Sequence, residues 1–486
     1  MNTNRKVITN GYIISMDDSL GDLSSGAILI ENDIIAAVTA TGEELRGVEA
    51  EVIDAQGGII LPGLVDAHRH DWLGVLRGLS ADESLPEFLA NTFYAYGAIF
   101  SAEDMHAAVL AGILEALDAG TTSIFEVNDC VNTPDHARAA VDAMRVAGIR
   151  GVYGYGMQAY NYAPRSFIDH KDRLKDAAEL RKAEFFGADD LLRMGMLMTD
   201  FGTVPFNTTA SEIRLARDLD LVRASHTAAA STSILLKGLR ELNDHGLLLP
   251  GHLHAHSNAL TEQDWKIIAD TGGKIVTTPS SELQMGMGGL PIRSSLTHGI
   301  TPAFGTDLVG VASGSLFQQM DIGLQWQRSV DNSAVHKTDT MPFSIDLSAR
   351  DALYWGTRGG AQALGLDDTV GSLTPGKKAD CIILSQKRAF TPSRYPVGTV
   401  VQQTSAADVD TVILNGEIRK RHGKLIGYDL DAVRANAMRA FERLNAASTQ
   451  FTAYTPEEIA AWFRKAERAA SVNFADAYRD GIPGDK

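Results

Sequence analysis

Residues 7–14 are rich in β-branched and aliphatic side chains, broken by an Asn10-Gly11 pair that predicts a turn. Residues 27–30 and 34–38 flank Glu31-Asn32-Asp33 and predict a tight hairpin. The same texture returns at 379–384 and 409–416. Two β-rich ends around a long middle predict a small β domain assembled from both ends of the chain. The middle differs: short apolar runs alternate with helical stretches, the pattern of βα units around a parallel sheet. Strands are expected at 121–127, 151–156, 194–198, 274–278 and 300–304. Residues 135–147 predict a helix, with Ala139, Ala140, Ala143 and Met144 on one face. Beyond Asp429 the chain reads as helical throughout, most clearly at 432–444 and 456–470.

A length of 486 residues exceeds one ordinary domain and fits a (β/α)8 barrel with a smaller companion. The formal charge of −17 argues against nucleic acid as the main partner and mostly means solubility. Cys130 and Cys381 lie far apart and form no CxxC pair, which fits a reducing cytosol. Residues 1–6 lack the apolar segment of a signal peptide, and no run of about 18 apolar residues occurs, so a cytoplasmic protein without a membrane span is expected.

The chemistry concentrates in Pro62-Gly63-Leu64-Val65-Asp66-Ala67-His68-Arg69-His70. Strand alternation sends His68 and His70 to one side, about 7 Å apart along the chain, where two imidazoles can grip one metal ion. Alone, such a pair is a weak signal. His226 strengthens it by ending another apolar run, and Gly305-Thr306-Asp307 ends a further one. His252-Leu253-His254-Ala255-His256 places three histidines on one expected strand face. In a (β/α)8 barrel, chemistry gathers at the C-terminal ends of several strands. Imidazoles and a carboxylate around a divalent ion leave a position for water and lower its pKa towards about 7. Zinc is the first choice of ion; iron, cobalt and manganese fit the same nitrogen and oxygen donors.

In this order, the PGLVDAHRH segment, the strand-end histidines and GTD resemble the amidohydrolase superfamily. The likeness is greatest to its branch of chlorohydrolases, guanine and cytosine deaminases and S-adenosylhomocysteine deaminases. It covers the chain to about Gly427. The resemblance implies a (β/α)8 TIM barrel at 62–370 and a composite β-sandwich from 1–61 and 371–428; the helical texture beyond it adds an extension at 429–486. It also implies that His68, His70, His226 and Asp307 bind the metal, that Asp307 relays a proton, and that His256 contacts the attacking water or the substrate. His252 and His254 are then structural. Binuclear relatives carry a lysine after the fourth strand; Met198-Thr199-Asp200 offers none, so one metal ion is expected. The implied reaction is hydrolysis of a C–N bond, in an aminated N-heterocycle or an amide or urea. C–Cl or C–S hydrolysis and a metal-dependent lyase or decarboxylase are the alternatives. A homo-oligomer is expected, with the helical extension as one possible interface.

The chain departs from the pattern at Ala229, where most deaminases of this branch have a proton-shuttling glutamate. Glu282, after the seventh barrel strand, is the candidate replacement as proton donor or substrate anchor. Arg69, between the two histidines, is expected to point away from the metal into an ion pair. Trp72, Asn128 and Gln158 are candidate pocket residues. The aromatic set Trp72, Phe88, Phe93, Tyr94, Tyr96 and Phe100 offers either an apolar lid or packing of the first loop.

Overall fold

The computed structural model describes residues 4–157, 166–167, 169–185, 187, 191–229, 238–389 and 391–477. Five strands come first: β1 (Arg5–Ile14), β2 (Asp22–Glu31), β3 (Ile34–Thr39), β4 (Glu51–Asp54) and β5 (Ile59–Pro62). Eight follow: β6 (Leu64–Arg69), β7 (Thr121–Asn128), β8 (Arg150–Gly156), β9 (Leu192–Leu197), β10 (Val222–Thr227), β11 (Leu253–His256), β12 (Lys274–Thr277) and β13 (Pro302–Phe304). The last are β14 (Cys381–Leu384), β15 (Val409–Leu414), β16 (Glu417–Arg421) and β17 (Lys424–Leu425). By packing, the chain divides into two compact units, residues 1–67, 114–124 and 314–429, and residues 68–113, 125–313 and 430–486.

The first unit holds a nine-stranded sheet in the order β17-β16-β15-β14-β5-β1-β2-β3, with β4 beside β1. Early β5 pairs antiparallel with late β14, Ile60 opposite Ile383. Ile8, Ile28, Ile35, Ile60, Cys381, Ile383 and Ile413 share one buried core. Neither end of the chain could bury its apolar face without the other, which is why the β-sandwich is composite. The Asn32-Asp33 turn joins β2 to β3 as expected, with Asn32 at φ 57°. Asn10-Gly11 is not a turn: β1 runs straight through it. The ladder with β2 slips between Ile8 and Gly11, and Asn10 takes φ 57°, so the irregularity is absorbed as a bulge. A side chain at Gly11 would meet Ile60 at 2.7 Å.

The other eight strands form the (β/α)8 barrel in sequence order, β6 through β13. It closes where Arg69 bridges Asp307 in parallel. The Asp307 amide donates to the His68 carbonyl and the His70 amide to the Asp307 carbonyl, both at 2.9 Å. Closure thus sets the first and last predicted ligands side by side through the backbone. The approach is tight: a Cβ on Gly305 would lie 2.6 Å from the His68 carbonyl oxygen.

Alternation turns Arg69 out of the barrel, where it is fully buried. It donates to Asp71 Oδ1 at 2.6 Å, Thr306 Oγ1 at 3.0 Å and the Gly112 carbonyl at 3.0 Å. Glu126 lies beside Asp71 and accepts its amide at 3.2 Å. Burial, then the Asp71 charge, pushes Glu126 well above the usual carboxylate range. Arg69→Ala would strand the Asp71 charge without its partner. Denaturant unfolding is expected to show a loss of about 3–5 kcal/mol; a loss below about 1 kcal/mol would mean the arginine is dispensable.

The C-terminal extension is two helices, not one continuous run: Leu430–Ser448 and Pro456–Asn473. Thr455 caps the second, and Pro456 fits its first turn, where no amide hydrogen is needed. The break lets Phe451 reach Tyr96, and Trp462 meets Tyr94, with ring centroids 5.4 and 5.5 Å apart. Arg443 pairs with Asp104, and Asn473 donates to the Gly202 carbonyl at 2.8 Å. The extension therefore binds the loops that follow β6 and β9. Among the described residues no helix is long and apolar enough to cross a membrane.

Candidate metal centre

His68 and His70 leave β6 on one face and enter a single cluster. Their Nε2 atoms stand 3.1 Å apart, and both face Asp307 Oδ1, at 3.3 and 3.2 Å. His226, from the end of β10, adds its ring 5.2 Å from His68 and 5.6 Å from His70, centroid to centroid. Donor atoms of His68, His70 and His226 all lie within 4.8 Å of one another, as do those of His68, His256 and Asp307.

The histidines share a second feature. His70 Nδ1 faces Asp129 at 3.3 Å, His226 Nδ1 faces Asp200 at 3.2 Å, and His256 Nδ1 faces Glu282 at 3.3 Å. A carboxylate on Nδ1 fixes the ring and leaves Nε2 for the cluster, the arrangement that commonly supports metal-binding histidines. Asp129 and Asp200 each follow a strand exit by one or more residues. Sequence reasoning saw this role for neither; the readable signal was an aspartate just beyond each strand that carries or neighbours a histidine.

His256 corrects the expectation of three histidines on one face. His252 and His254 do share a face: Ser225 Oγ meets His252 Nε2 at 2.8 Å, and Thr227 Oγ1 meets His254 Nδ1 at 3.0 Å. The His254 ring lies against Gly273, so this pair fills the layer outside the barrel. Burial holds His252 well below the usual imidazole range and His254 at about 3, so both are neutral. Alternation would send His256 the same way. Left-handed backbone at His256 (φ 71°) and Ser257 (φ 61°) turns it instead towards the cluster, its ring 5.4 Å from His68 and 5.5 Å from His226. Asp307 also sits left-handed, at φ 61°. Such conformations cost on the order of 1–3 kcal/mol in non-glycine residues and persist where the surroundings hold them.

The other described candidates are all buried. Trp72 is fully buried between Phe93 and Phe100, centroids 5.4 and 5.2 Å away, so its ring packs the first loop. Asn128 is fully buried and donates to Met105 Sδ at 3.3 Å. Gln158 lies outside the described residues. Ala229 is buried and presents only its methyl group. Glu282 is fully buried; its carboxylate faces His256 Nδ1 and accepts from the Thr278 amide.

The cluster fits a divalent cation. Two imidazole nitrogens at 3.1 Å can share at most one proton. Burial favours a neutral His68, well below the usual imidazole range, as a metal ligand must be. Burial also opposes charge on Asp307, yet hydrogen bonds from His68 and His70 hold it well below the usual carboxylate range. Burial depresses His70 too, but the Asp129 and Asp307 carboxylates carry it up to about 10. The surroundings demand positive charge at this point.

A (β/α)8 barrel with imidazoles and a carboxylate converging at its strand exits defines the class of metal-dependent barrel hydrolases. Residues 59–419 match the Amidohydrolase family, and the chain belongs to it. It is a hydrolytic enzyme acting on carbon–nitrogen bonds. The 5'-deoxyadenosine deaminase of Methanothermobacter thermautotrophicus is 31% identical over 423 residues, which are 83% of this chain and 91% of that one. A zinc-bound adenosine deaminase from Xanthomonas campestris superposes with a TM-score of 0.82 at 23% identity, covering 91% of this chain and 98% of that one. Atrazine chlorohydrolase from Arthrobacter aurescens, solved with zinc, gives 0.74 at 23% identity, covering 90% and 100%.

Proposed function

We propose that this chain is a metal-dependent aminohydrolase that removes an amino group from a nitrogen heterocycle of the adenosine type. The observation that carries the reading is the convergence of His68, His70 and Asp307 within 3.3 Å, with His226 beside them. These four residues are the proposed ligands of one divalent ion, with zinc the first choice because both solved relatives above hold it. Such an ion supplies Lewis acidity and brings a water molecule's pKa towards about 7.

The protein's own groups do the rest. Asp307 presents a carboxylate kept ionised by its neighbours, fit to accept a proton from the attacking water. His256, held on its Nδ1 side by Glu282, directs its other face at the substrate carbon's exocyclic group. The substrate class comes from the deaminase relatives, whose length this chain nearly spans. The methyl of Ala229 favours a second group of substrates, those whose leaving group needs no ring protonation, such as C–Cl or C–S bonds.

The domain assignment follows the same reading: barrel 62–370, β-sandwich 1–61 and 371–428, extension 429–486. A cytoplasmic homo-oligomer fits the acidic composition and the exposed Met438, Phe441 and Trp462 on the extension. The metal-loaded enzyme should be assayed with 5'-deoxyadenosine, other aminopurines, aminotriazines and their chloro and methylthio counterparts in oxygen-18 water. Ammonia release with label on the attacked carbon is expected. Chloride or thiol release alone would favour the second group, and a product without label would exclude hydrolysis.

A further inference from the structure

Glu282 is a buried carboxylate of the centre that meets hydrogen-bond donors from two strand exits. Its Oε1 accepts from the Thr278 amide at 2.8 Å, from Thr278 Oγ1 at 3.3 Å and faces His256 Nδ1 at 3.3 Å. Its Oε2 accepts from Thr277 Oγ1 at 2.7 Å and Asn258 Nδ2 at 3.1 Å. A carboxylate offers about four lone-pair positions. Five partners occupy them all, so neither oxygen is left to meet a substrate.

We infer that Glu282 is a positioning residue: it clamps the left-handed exit of β11 and decides which ring nitrogen of His256 faces the cluster. The inference rests on the reading of the centre given above. His256 and Ser257, at φ 71° and 61°, leave the strand in a conformation that side chains disfavour. Asn258, the next residue, is tied to Glu282 and to the Gly289 carbonyl at 3.0 Å. The turn is thus gripped on both sides of its strained pair, at His256 and at Asn258. Because the carboxylate accepts from Nδ1, the hydrogen of His256 is held there and Nε2 is presented to the cluster.

The clamp reaches further. Thr278 Oγ1, held by Glu282, also lies 3.2 Å from His256 Nδ1 and 3.4 Å from Asp307 Oδ2. One carboxylate therefore ties together the exits of β11 and β12, and its partner Thr278 stands beside the Asp307 carboxylate after β13. Glu282 does not take over the proton transfer of the glutamate absent at position 229. It sets the geometry in which His256 and Asp307 act.

The test compares Glu282→Gln and Glu282→Leu in the metal-loaded enzyme. Glutamine keeps an acceptor for Thr278 and His256; leucine removes the acceptor from all five contacts. Asn258 then keeps another in the Gly289 carbonyl, and Thr278 Oγ1 one in Asp307 Oδ2. Expected losses in kcat are about tenfold for glutamine and about 100-fold for leucine, with KM and bound metal little changed. The second readout is independent of turnover: nitrogen-15 NMR of His256, in metal-free and metal-loaded protein. Wild type and Glu282→Gln should show the hydrogen on Nδ1, and Glu282→Leu a mixture of tautomers. Equal inactivation by both variants, with one limb of the pH–rate profile removed, would make Glu282 a proton-transferring group and overturn the inference. Unaltered turnover and tautomer in Glu282→Leu would overturn it as well. If Glu282→Leu does not fold, Glu282→Gln still decides, since a proton-transferring carboxyl cannot survive that change. A wild-type enzyme inert towards every substrate tried would count against the proposed activity, while the tautomer comparison would still judge Glu282.

Discussion

Asp307→Asn is expected to lower kcat/KM by about 10³-fold or more, the upper range for loss of a group that accepts a proton in the reaction. Asparagine matches aspartate in size, so the backbone bridge to Arg69 and the strand closure survive. Two properties go. The amide cannot take a proton from water, and it carries no negative charge opposite the imidazoles that now lie 3.2 and 3.3 Å away. Metal affinity should fall in step, because one of the four proposed ligands would have lost its charge. Steady-state kinetics with metal analysis on the same preparation separates the two effects. Activity within about threefold of wild type would remove Asp307 from the chemistry, whatever its place in the fold.

Removing the metal should have the second largest effect. A chelator is expected to abolish turnover and to lower stability, by about 4 kcal/mol if the ion had been present at 1,000 times its dissociation constant. The physical cause lies in the cluster itself: two imidazole nitrogens 3.1 Å apart and a buried carboxylate have no cation between them. Calorimetry with and without chelator, and activity after adding back zinc, cobalt, manganese or iron, measure both quantities. A fully active enzyme shown to hold no metal would end the reading of these residues as ligands.

Much of this was legible in the chain. The barrel strands announced themselves as short apolar runs, and His68, His70, His226 and Asp307 each sat where such a run stopped. Their convergence needed only the rule that barrel strands deliver their ends to one rim. What stayed hidden depended on backbone angle or on contacts made across strands. Asn10-Gly11 had turn composition, yet its neighbours on β2 and β5 kept the strand going. His256 had the spacing of His252 and His254, and only a left-handed residue separates its direction from theirs. Glu282 could be placed near the mouth but not aimed, because its five partners come from two strand exits and a turn. The second helix of the extension starts at Pro456, where its stretch of helical composition begins, with Thr455 as its cap.

The positive φ angles at His256 and Asp307 mean that the centre is written partly in main-chain torsions. Anyone transplanting these side chains onto another barrel would have to carry the bends with them. A straight strand bearing the same letters would aim the histidine at the helices outside. The recipe for this active centre is therefore longer than its catalogue of functional groups.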